Sequence, residues 1–136
     1  MIGIDLVDPC DAARLAAPRL RGRIFTRDEA ARTRTADLPV AFAAKEALLK
    51  ALGWGIERGV ARFAEIEVSW DGDGALVLRT RGRVRDELVR RGLDAAGLVF
   101  AVGQSRGAVV VLARAEFAPA PGFRVLQLEG GAAGDA

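Results

Sequence analysis

Histidine is absent from this sequence of 136 residues, cysteine occurs once, and lysine occurs only at positions 45 and 50. Without histidine, the chain cannot build the Ser-His-Asp or Cys-His sites of nucleophilic catalysis, and it lacks the commonest protein ligand of transition metals. A metal ion bound by this chain is therefore expected to be a hard cation held by oxygen atoms. The single cysteine, Cys10, excludes a disulfide bond within the chain.

Long apolar runs and an excess of either charge are missing as well. No run approaches the roughly 18 residues that cross a bilayer, and no basic, apolar leader precedes the first predicted strand. The 20 basic residues nearly balance the 18 acidic ones, so composition does not indicate binding to nucleic acid or to a membrane surface. We expect a cytoplasmic protein with one domain over residues 1–117 and a loosely ordered tail, rich in Gly and Ala, over residues 118–136.

The first part of the chain predicts a strand followed by short helices. Residues 2–7, IGIDLV, alternate so that their aliphatic side chains share one face and Asp5 lies on the other, which is typical of a half-buried strand. An Asp-Pro pair indicates a helix over residues 9–17, with proline in its first turn. A Thr-x-x-Glu capping box predicts a second helix over residues 26–34.

The later part of the chain predicts two hairpins and one helix. Residues 64–70 alternate apolar and polar side chains, and an Asp-Gly-Asp-Gly turn leads into a second strand over residues 76–79. An amphipathic helix is expected over residues 82–91, and two apolar strands joined by a tight turn over residues 98–114. This order of elements predicts an α+β domain with a mainly antiparallel sheet.

The segment FAAKEALLKAL, residues 42–52, predicts a helix that is apolar almost all the way round and that ends at a glycine. Glu46 and Lys50 fall one turn apart on one face, whereas Lys45 projects elsewhere among leucines. Charges in such a setting are expected to meet an ion, a ligand or another charge, because burying them unpaired is costly. The alternative is an ordinary surface pair, since Glu followed four residues later by Lys also stabilises solvated helices.

Three segments together resemble the holo-acyl-carrier-protein synthases, the short class of 4′-phosphopantetheinyl transferases. They are GIDLV near the start, IFTRDEA at residues 24–30, and FAAKEALLKALGWGI at residues 42–56, and the resemblance extends over residues 2–114. It implies an α+β fold that assembles as a homotrimer with active sites between subunits. It also implies transfer of the phosphopantetheine arm of coenzyme A to a serine of an apo acyl carrier protein, with release of 3′,5′-ADP.

The resemblance assigns roles to particular residues. Asp5 and Glu46 match the carboxylates that hold Mg²⁺, and Glu46 and Lys50 match the catalytic residues, with Lys50 on the diphosphate of coenzyme A. Residues with further expected contacts to substrate are Lys45, Gly53, Gly55 and Gln104, and those expected to contact an acidic carrier protein are Arg14 and Arg21.

The sequence departs from the family pattern at several places. Val40 and Ala41 stand where relatives carry basic residues that hold coenzyme A, residues 33–39 form a shorter connection than usual, and Gln104 replaces a histidine. These departures leave an alternative open. The chain would then be a derived homologue that binds a carrier protein without transferring the arm, or that acts on the carrier-bound acyl chain.

Overall fold

A computed structural model describes residues 1–54, 60–93 and 97–115 of the chain. Among these residues, no helix is long and apolar enough to cross a membrane. The predicted tail, and the end of the predicted domain at residue 117, lie outside the described residues. The described elements are β1 (Ile2–Val7), α1 (Pro9–Leu15), α2 (Pro18–Ile24), α3 (Arg27–Arg32), α4 (Leu38–Ala51), β2 (Ile66–Trp70), β3 (Leu76–Thr80), α5 (Gly82–Arg90), β4 (Leu98–Ser105) and β5 (Ala108–Ala115), with short 3₁₀ helices at Thr35–Asp37 and Val60–Glu65.

The strands form two antiparallel sheets rather than one. The larger sheet has the order β1-β5-β4, and the smaller is the β2-β3 hairpin. In the larger sheet, Asp5 lies opposite Val111 of β5, which in turn lies opposite Val102 of β4. The predicted α+β class and both predicted hairpins are therefore confirmed, and the first strand adds to the edge of the second hairpin.

Proline positions explain how the first helices are divided. The Asp8 side chain accepts a hydrogen bond from the Asp11 amide at 2.8 Å, which caps α1 as predicted. This helix ends at residue 15, before the expected residue 17, because Ala17 is extended (ψ 129°) and Pro18 opens α2. Helix α2 was not expected as a separate element.

Helix α4 begins at Leu38, four residues earlier than predicted, with Pro39 in its first turn, where no amide partner is needed. The connection over residues 33–39 therefore includes a 3₁₀ turn and the start of the helix. Val40 and Ala41 are buried in the hydrophobic core, at 6% and 0% exposure. At these two positions, where the sequence departs from the family pattern, the apolar side chains thus contribute to core packing.

Helix α4 packs directly on the backbone of β1. A Cβ atom added to Gly3 would lie 1.9 Å from the carbonyl oxygen of Ala47 and 2.5 Å from the amide of Ala51, so only glycine permits this approach. Because strand side chains alternate, Asp5 and Val7 share the face of Gly3 and also point toward α4. The contact therefore places Asp5 beside the charged residues of α4.

The other face of β1 is apolar and uncovered in the single chain. Ile2, Ile4 and Leu6 are 62%, 53% and 61% exposed. The predicted alternation is thus correct, but the aliphatic face lies on the outside and the face that carries Asp5 is buried. An exposed apolar face of this kind marks an interaction surface.

We expect Gly3→Ala to destabilise the protein by about 3 kcal/mol or more, because the new methyl group must push β1 away from α4. Urea denaturation followed by circular dichroism measures the loss. The matched control is Gly22→Ala in α2, where an added Cβ has no atom within 4 Å. That change is expected to raise stability by up to about 1 kcal/mol, because alanine favours helix more than glycine does. Equal effects of the two substitutions would contradict the proposed close contact.

Candidate functional site

A cavity of about 450 Å³ lies between β1, α1, α2 and α4. Residues that are far apart in the sequence line this cavity together. Apolar side chains from α1, α2, α4 and the second 3₁₀ helix form one part of the lining, and charged side chains form the other. The apolar residues include Leu15, Leu20, Ile24, Phe42 and Phe63, and the charged ones are Asp5, Asp11, Arg14, Arg23, Glu46 and Lys50.

Three residues of α4 face the cavity at a spacing of four: Phe42, Glu46 and Lys50. This spacing keeps them on one side of the helix, as predicted for Glu46 and Lys50. The Lys50 ammonium donates a hydrogen bond to Asp5 Oδ1 at 2.5 Å. Lys50 therefore pairs with the carboxylate of the neighbouring strand, and the structure does not support the alternative of an ordinary surface pair between Glu46 and Lys50.

The second oxygen of Asp5 has no partner within the described chain. Asp5 is 7% exposed, and its Oδ2 is buried without a hydrogen bond. A buried carboxylate oxygen left without a partner is unfavourable, because it has lost water and gained nothing in return. Asp5 lines the cavity, and its carboxylate is therefore a candidate ligand for a bound cation.

Glu46 is buried near the same point, at 9% exposure. Burial raises the pKa of its carboxyl, the charge of Asp5 raises it further, and Lys50 opposes both effects. The two carboxylates therefore repel each other at the cavity, and the charge of Lys50 offsets this repulsion only in part. In the described parts of the chain, no group of three or more Asp, Glu, His or Cys residues could hold a metal ion. A cation bound by this pair would take its other ligands from water or substrate.

Lys45 lies elsewhere than predicted. Its side chain is fully buried, and its ammonium donates to Glu29 Oε2 at 2.6 Å and to the carbonyl oxygens of Ile24 and Phe63 at 2.9 and 3.2 Å. All three ammonium hydrogens therefore have acceptors within the protein. Burial lowers the pKa of Lys45, and the partly compensating charge of Glu29 raises it. The expected contact between Lys45 and substrate is inconsistent with this position, since the side chain does not line the cavity.

The two arginines expected to contact a carrier protein have different surroundings. Arg14 lies at the cavity, with a side chain 76% exposed and an ion pair to Asp11 at 3.4 Å. Arg21 instead donates to the carbonyl oxygens of Ala30 and Thr33, which ties α2 to α3. The structure therefore gives Arg21 an internal role and leaves Arg14 available to a partner.

The remaining predicted substrate contacts lie away from the cavity or outside the described chain. Gly53 ends α4 with φ +74°, and an added Cβ would have no atom within 4 Å, so the C-terminal turn of the helix accounts for it. Gln104 is exposed on β4, in line with Val109 and Val7 of the neighbouring strands. Gly55 lies outside the described residues. Within this single chain, neither Gly53 nor Gln104 lines the cavity with Asp5.

Several residues of the cavity and its surroundings were not predicted from the sequence. Phe42 follows the same spacing of four as Glu46 and Lys50, so the helical period already contained that signal. Glu29 was interpreted only as part of a capping box, and the box is present, but its carboxylate also accepts from Lys45 and from the Val68 amide. Nothing in the local sequence indicates this second role.

Comparisons with known proteins agree with the resemblance. The family model described as the 4′-phosphopantetheinyl transferase superfamily matches residues 1–104. The chain is 40% identical over 87 residues to a holo-[acyl-carrier-protein] synthase of Shewanella woodyi, an alignment that spans 60% of this chain and 65% of that protein, slightly less than two thirds.

Solved structures agree as well. The crystal structure of a holo-[acyl-carrier-protein] synthase from Neisseria meningitidis has a TM-score of 0.71 at 27% identity, over 85% of this chain and 97% of that chain. The structure of such a synthase from Bacillus anthracis in complex with CoA (3′,5′-ADP) has a TM-score of 0.60 at 26% identity, over 82% of this chain and 91% of that chain. The fold predicted from the resemblance is confirmed.

The raised pKa of Glu46 makes a prediction about stability. Because its folded pKa lies above its ordinary value of 4.5, ionisation of Glu46 destabilises the fold as pH rises through the folded pKa. We expect Glu46→Gln, measured by scanning calorimetry with a chelator present, to melt at a higher temperature than the natural protein at pH 8. The difference should shrink as pH falls below 4.5, where Glu46 becomes protonated in the folded and the unfolded state.

Glu87→Gln is the matched control of opposite sign. Arg90 and Arg91 lower the pKa of Glu87 to about 2, so its ionised form stabilises the fold above the ordinary pKa. This substitution should lower the melting temperature slightly at pH 8, since the Arg90 side chain is largely exposed and water screens its attraction to Glu87. A Glu46→Gln protein that melts lower than the natural one at pH 8 would contradict the assigned electrostatics.

Proposed function

Because the chain belongs to the 4′-phosphopantetheinyl transferase superfamily, we propose that it transfers the 4′-phosphopantetheine arm of coenzyme A to a serine of an apo acyl carrier protein. The observation that carries this proposal is the meeting of Asp5, Glu46 and Lys50 at one cavity, from a strand and a helix some forty residues apart. These are the residues that the resemblance names as metal ligands and catalytic groups. The similarity to synthases that transfer this arm supports the same conclusion.

We propose that Asp5 and Glu46 hold Mg²⁺. The unpartnered, buried Oδ2 atom of Asp5 and the repulsion between the two carboxylates fit a hard divalent cation, which prefers oxygen ligands. Mg²⁺ is usually bound by one or two carboxylates together with water and substrate phosphate, so two protein ligands suffice. When bound, the cation supplies positive charge to the diphosphate of coenzyme A.

The residues of the chain then perform the remaining steps. The serine oxygen of the carrier forms a bond to the phosphorus that bears the pantetheine arm, and the bond from this phosphorus to the bridging oxygen of 3′,5′-ADP breaks. Lys50, whose side chain is 45% exposed, neutralises the charge that develops on the departing phosphate. We assign Glu46, which lines the cavity beside Lys50, to accept the serine proton.

The charges at the mouth of the cavity suit an acidic carrier protein. Arg14 and Arg23 lie on the cavity lining beside the catalytic groups, and Arg14 is largely exposed. A carrier that docks here would present its serine to the cavity, because positive and negative surfaces steer each other into register.

Coenzyme A and carrier proteins occur together in the cytoplasm, and we place the reaction there.

We also propose that the chain assembles as the homotrimer of its family. Ile2, Ile4 and Leu6 form an exposed apolar strip on β1, and Val110 of β5 lies opposite Leu6 on the same face. Burying this strip against another subunit removes a large apolar area from water. Leu6 also lines the cavity, so that the cavity opens beside the proposed interface. This position suits active sites between subunits.

Transfer is tested by incubating the protein with apo acyl carrier protein, coenzyme A and Mg²⁺ and recording the mass of the carrier. We expect the mass to rise by one phosphopantetheine arm. Asp5→Asn, Glu46→Gln and Lys50→Met should each lower the rate about 100-fold or more, because each removes a charge at the reacting phosphate. The matched control is Arg79→Gln, which removes an exposed cation of β3 outside the cavity and should leave the rate unchanged.

An unmodified carrier that nevertheless binds the protein would contradict the proposed transfer. It would favour the alternative of a derived homologue that recognises carrier proteins or acts on the carrier-bound acyl chain. Calorimetry with coenzyme A and Mg²⁺ then shows whether the nucleotide still binds.

Assembly is tested by size-exclusion chromatography with light scattering. We expect a mass three times that of the 14.4 kDa chain for the natural protein. Ile4→Asp should give the mass of a single chain, because it places a charge in the middle of the apolar strip. The matched control is Val89→Asp in α5, since Val89 is 62% exposed but lies outside the larger sheet. A natural protein that elutes as a monomer would overturn the proposed trimer.

A further inference from the structure

The two lysines of α4 lie five residues apart in opposite surroundings. Lys50 has an exposed side chain at the cavity, whereas Lys45 is sealed inside the protein with Glu29, and both members of that pair are 0% exposed. Glu29 is satisfied as fully as Lys45, because it accepts from the amides of Thr26 and Val68 at 3.1 and 2.9 Å. The proposed transfer reaction gives this buried pair no role so far.

The acceptors of Lys45 connect the pair to the cavity. Two of its three hydrogen bonds go to the carbonyl oxygens of Ile24 and Phe63, and both of these residues line the cavity. Ile24 ends α2, and Phe63 lies in the second 3₁₀ helix, so these two walls come from separate segments. Lys45 is also the neighbour of Glu46 in the chain. One buried ammonium therefore holds two cavity walls in place relative to α4.

Stability alone does not account for such a pair. Replacing a buried ion pair by uncharged residues of similar volume is often neutral or stabilising, because both charges lose their water. Here, the ammonium instead fixes the relative position of two backbone segments and one catalytic helix. A displacement of about 1 Å at a catalytic site can lower the reaction rate about 100-fold. The position of these two cavity walls therefore affects the rate directly.

We propose that Lys45 and Glu29 are positioning residues for the transferase site, with Lys45 holding the backbone of Ile24 and Phe63 from behind the cavity and Glu29 keeping Lys45 in place. This inference rests on the proposed function, because the rate that it concerns is the rate of phosphopantetheine transfer. Lys45 has no contact with substrate. Its effect reaches the reaction only through the two walls and through α4.

The test compares the natural protein with Lys45→Met combined with Glu29→Gln, which removes both charges and preserves most of the side-chain volume. We expect kcat to fall at least about tenfold. The dissociation constant of Mg²⁺, measured by calorimetry, should stay within about twofold of the natural value, because Asp5 and Glu46 are intact. The matched control is Leu88→Ala, which removes buried volume in α5 away from the cavity and should lower the melting temperature while kcat remains unchanged. A double variant with natural kcat would overturn the proposal.

Glu29→Gln alone provides a second test that does not depend on the double variant folding. It leaves the Lys45 ammonium without the carboxylate that keeps it in place, so kcat should fall at least about tenfold while the dissociation constant of Mg²⁺ stays within about twofold of the natural value. A natural kcat in this variant would overturn the role proposed for Glu29.

The proposed transfer and the positioning role fail in distinguishable ways. If the natural protein transfers no arm to any carrier, the proposed function fails. The positioning role is then tested by measuring the affinity of the protein for coenzyme A. The double variant should bind coenzyme A at least about tenfold more weakly than the natural protein, whereas Leu88→Ala should bind it equally well. Equal affinities of the natural protein and the double variant would overturn the positioning role.

Discussion

The close contact between the backbone of Gly3 and the carbonyl of Ala47 sets the distance between β1 and α4, and the candidate site depends on that distance. No side chain separates the strand from the helix at this point, so Asp5, two residues further on, reaches the Lys50 ammonium at 2.5 Å. On the other side, β5 holds β1 in register by pairing along its whole length. The charged groups are therefore positioned by regular elements, which are more rigid than loops.

The two lysines of α4 have different surroundings, since one is buried among structural contacts and the other lies at the cavity. Lys45 has three acceptors and no exposure, and such a fully satisfied buried network favours one arrangement of the segments that it joins. At the cavity, by contrast, Asp5 keeps an unpartnered oxygen, and Glu46 has a raised pKa. A cation and a diphosphate bound at the cavity would relieve these unfavourable electrostatics. Burial also lowers the pKa of Lys45, but the hydrogen bonds of its ammonium are satisfied within the protein.

Periodicity predicted the parts of this arrangement that depend on neighbouring residues. The spacing of four placed Glu46 and Lys50 on one face, and the alternation of residues 2–7 separated Asp5 from the aliphatic side chains. The same patterns did not indicate that Lys50 would pair with Asp5 or that Lys45 would pair with Glu29, since both pairs form between distant segments. The alternation also does not reveal which face of β1 is buried. That choice depends on Gly3, whose missing side chain admits α4 on the side that carries the carboxylate.

The exposed face of β1 and the departures from the family pattern concern the same region. Ala41 is packed in the core, so the positive charge at the cavity is supplied by Arg14, Arg23 and Lys50. Leu6 belongs both to the cavity wall and to the exposed apolar strip. A subunit that covers this strip would therefore also stand beside the cavity, where its own side chains could contact a bound phosphate. Under the proposed assembly, subunit contact and substrate binding would then depend on one strand, because β1 carries the proposed metal ligand on one face and the proposed interface on the other.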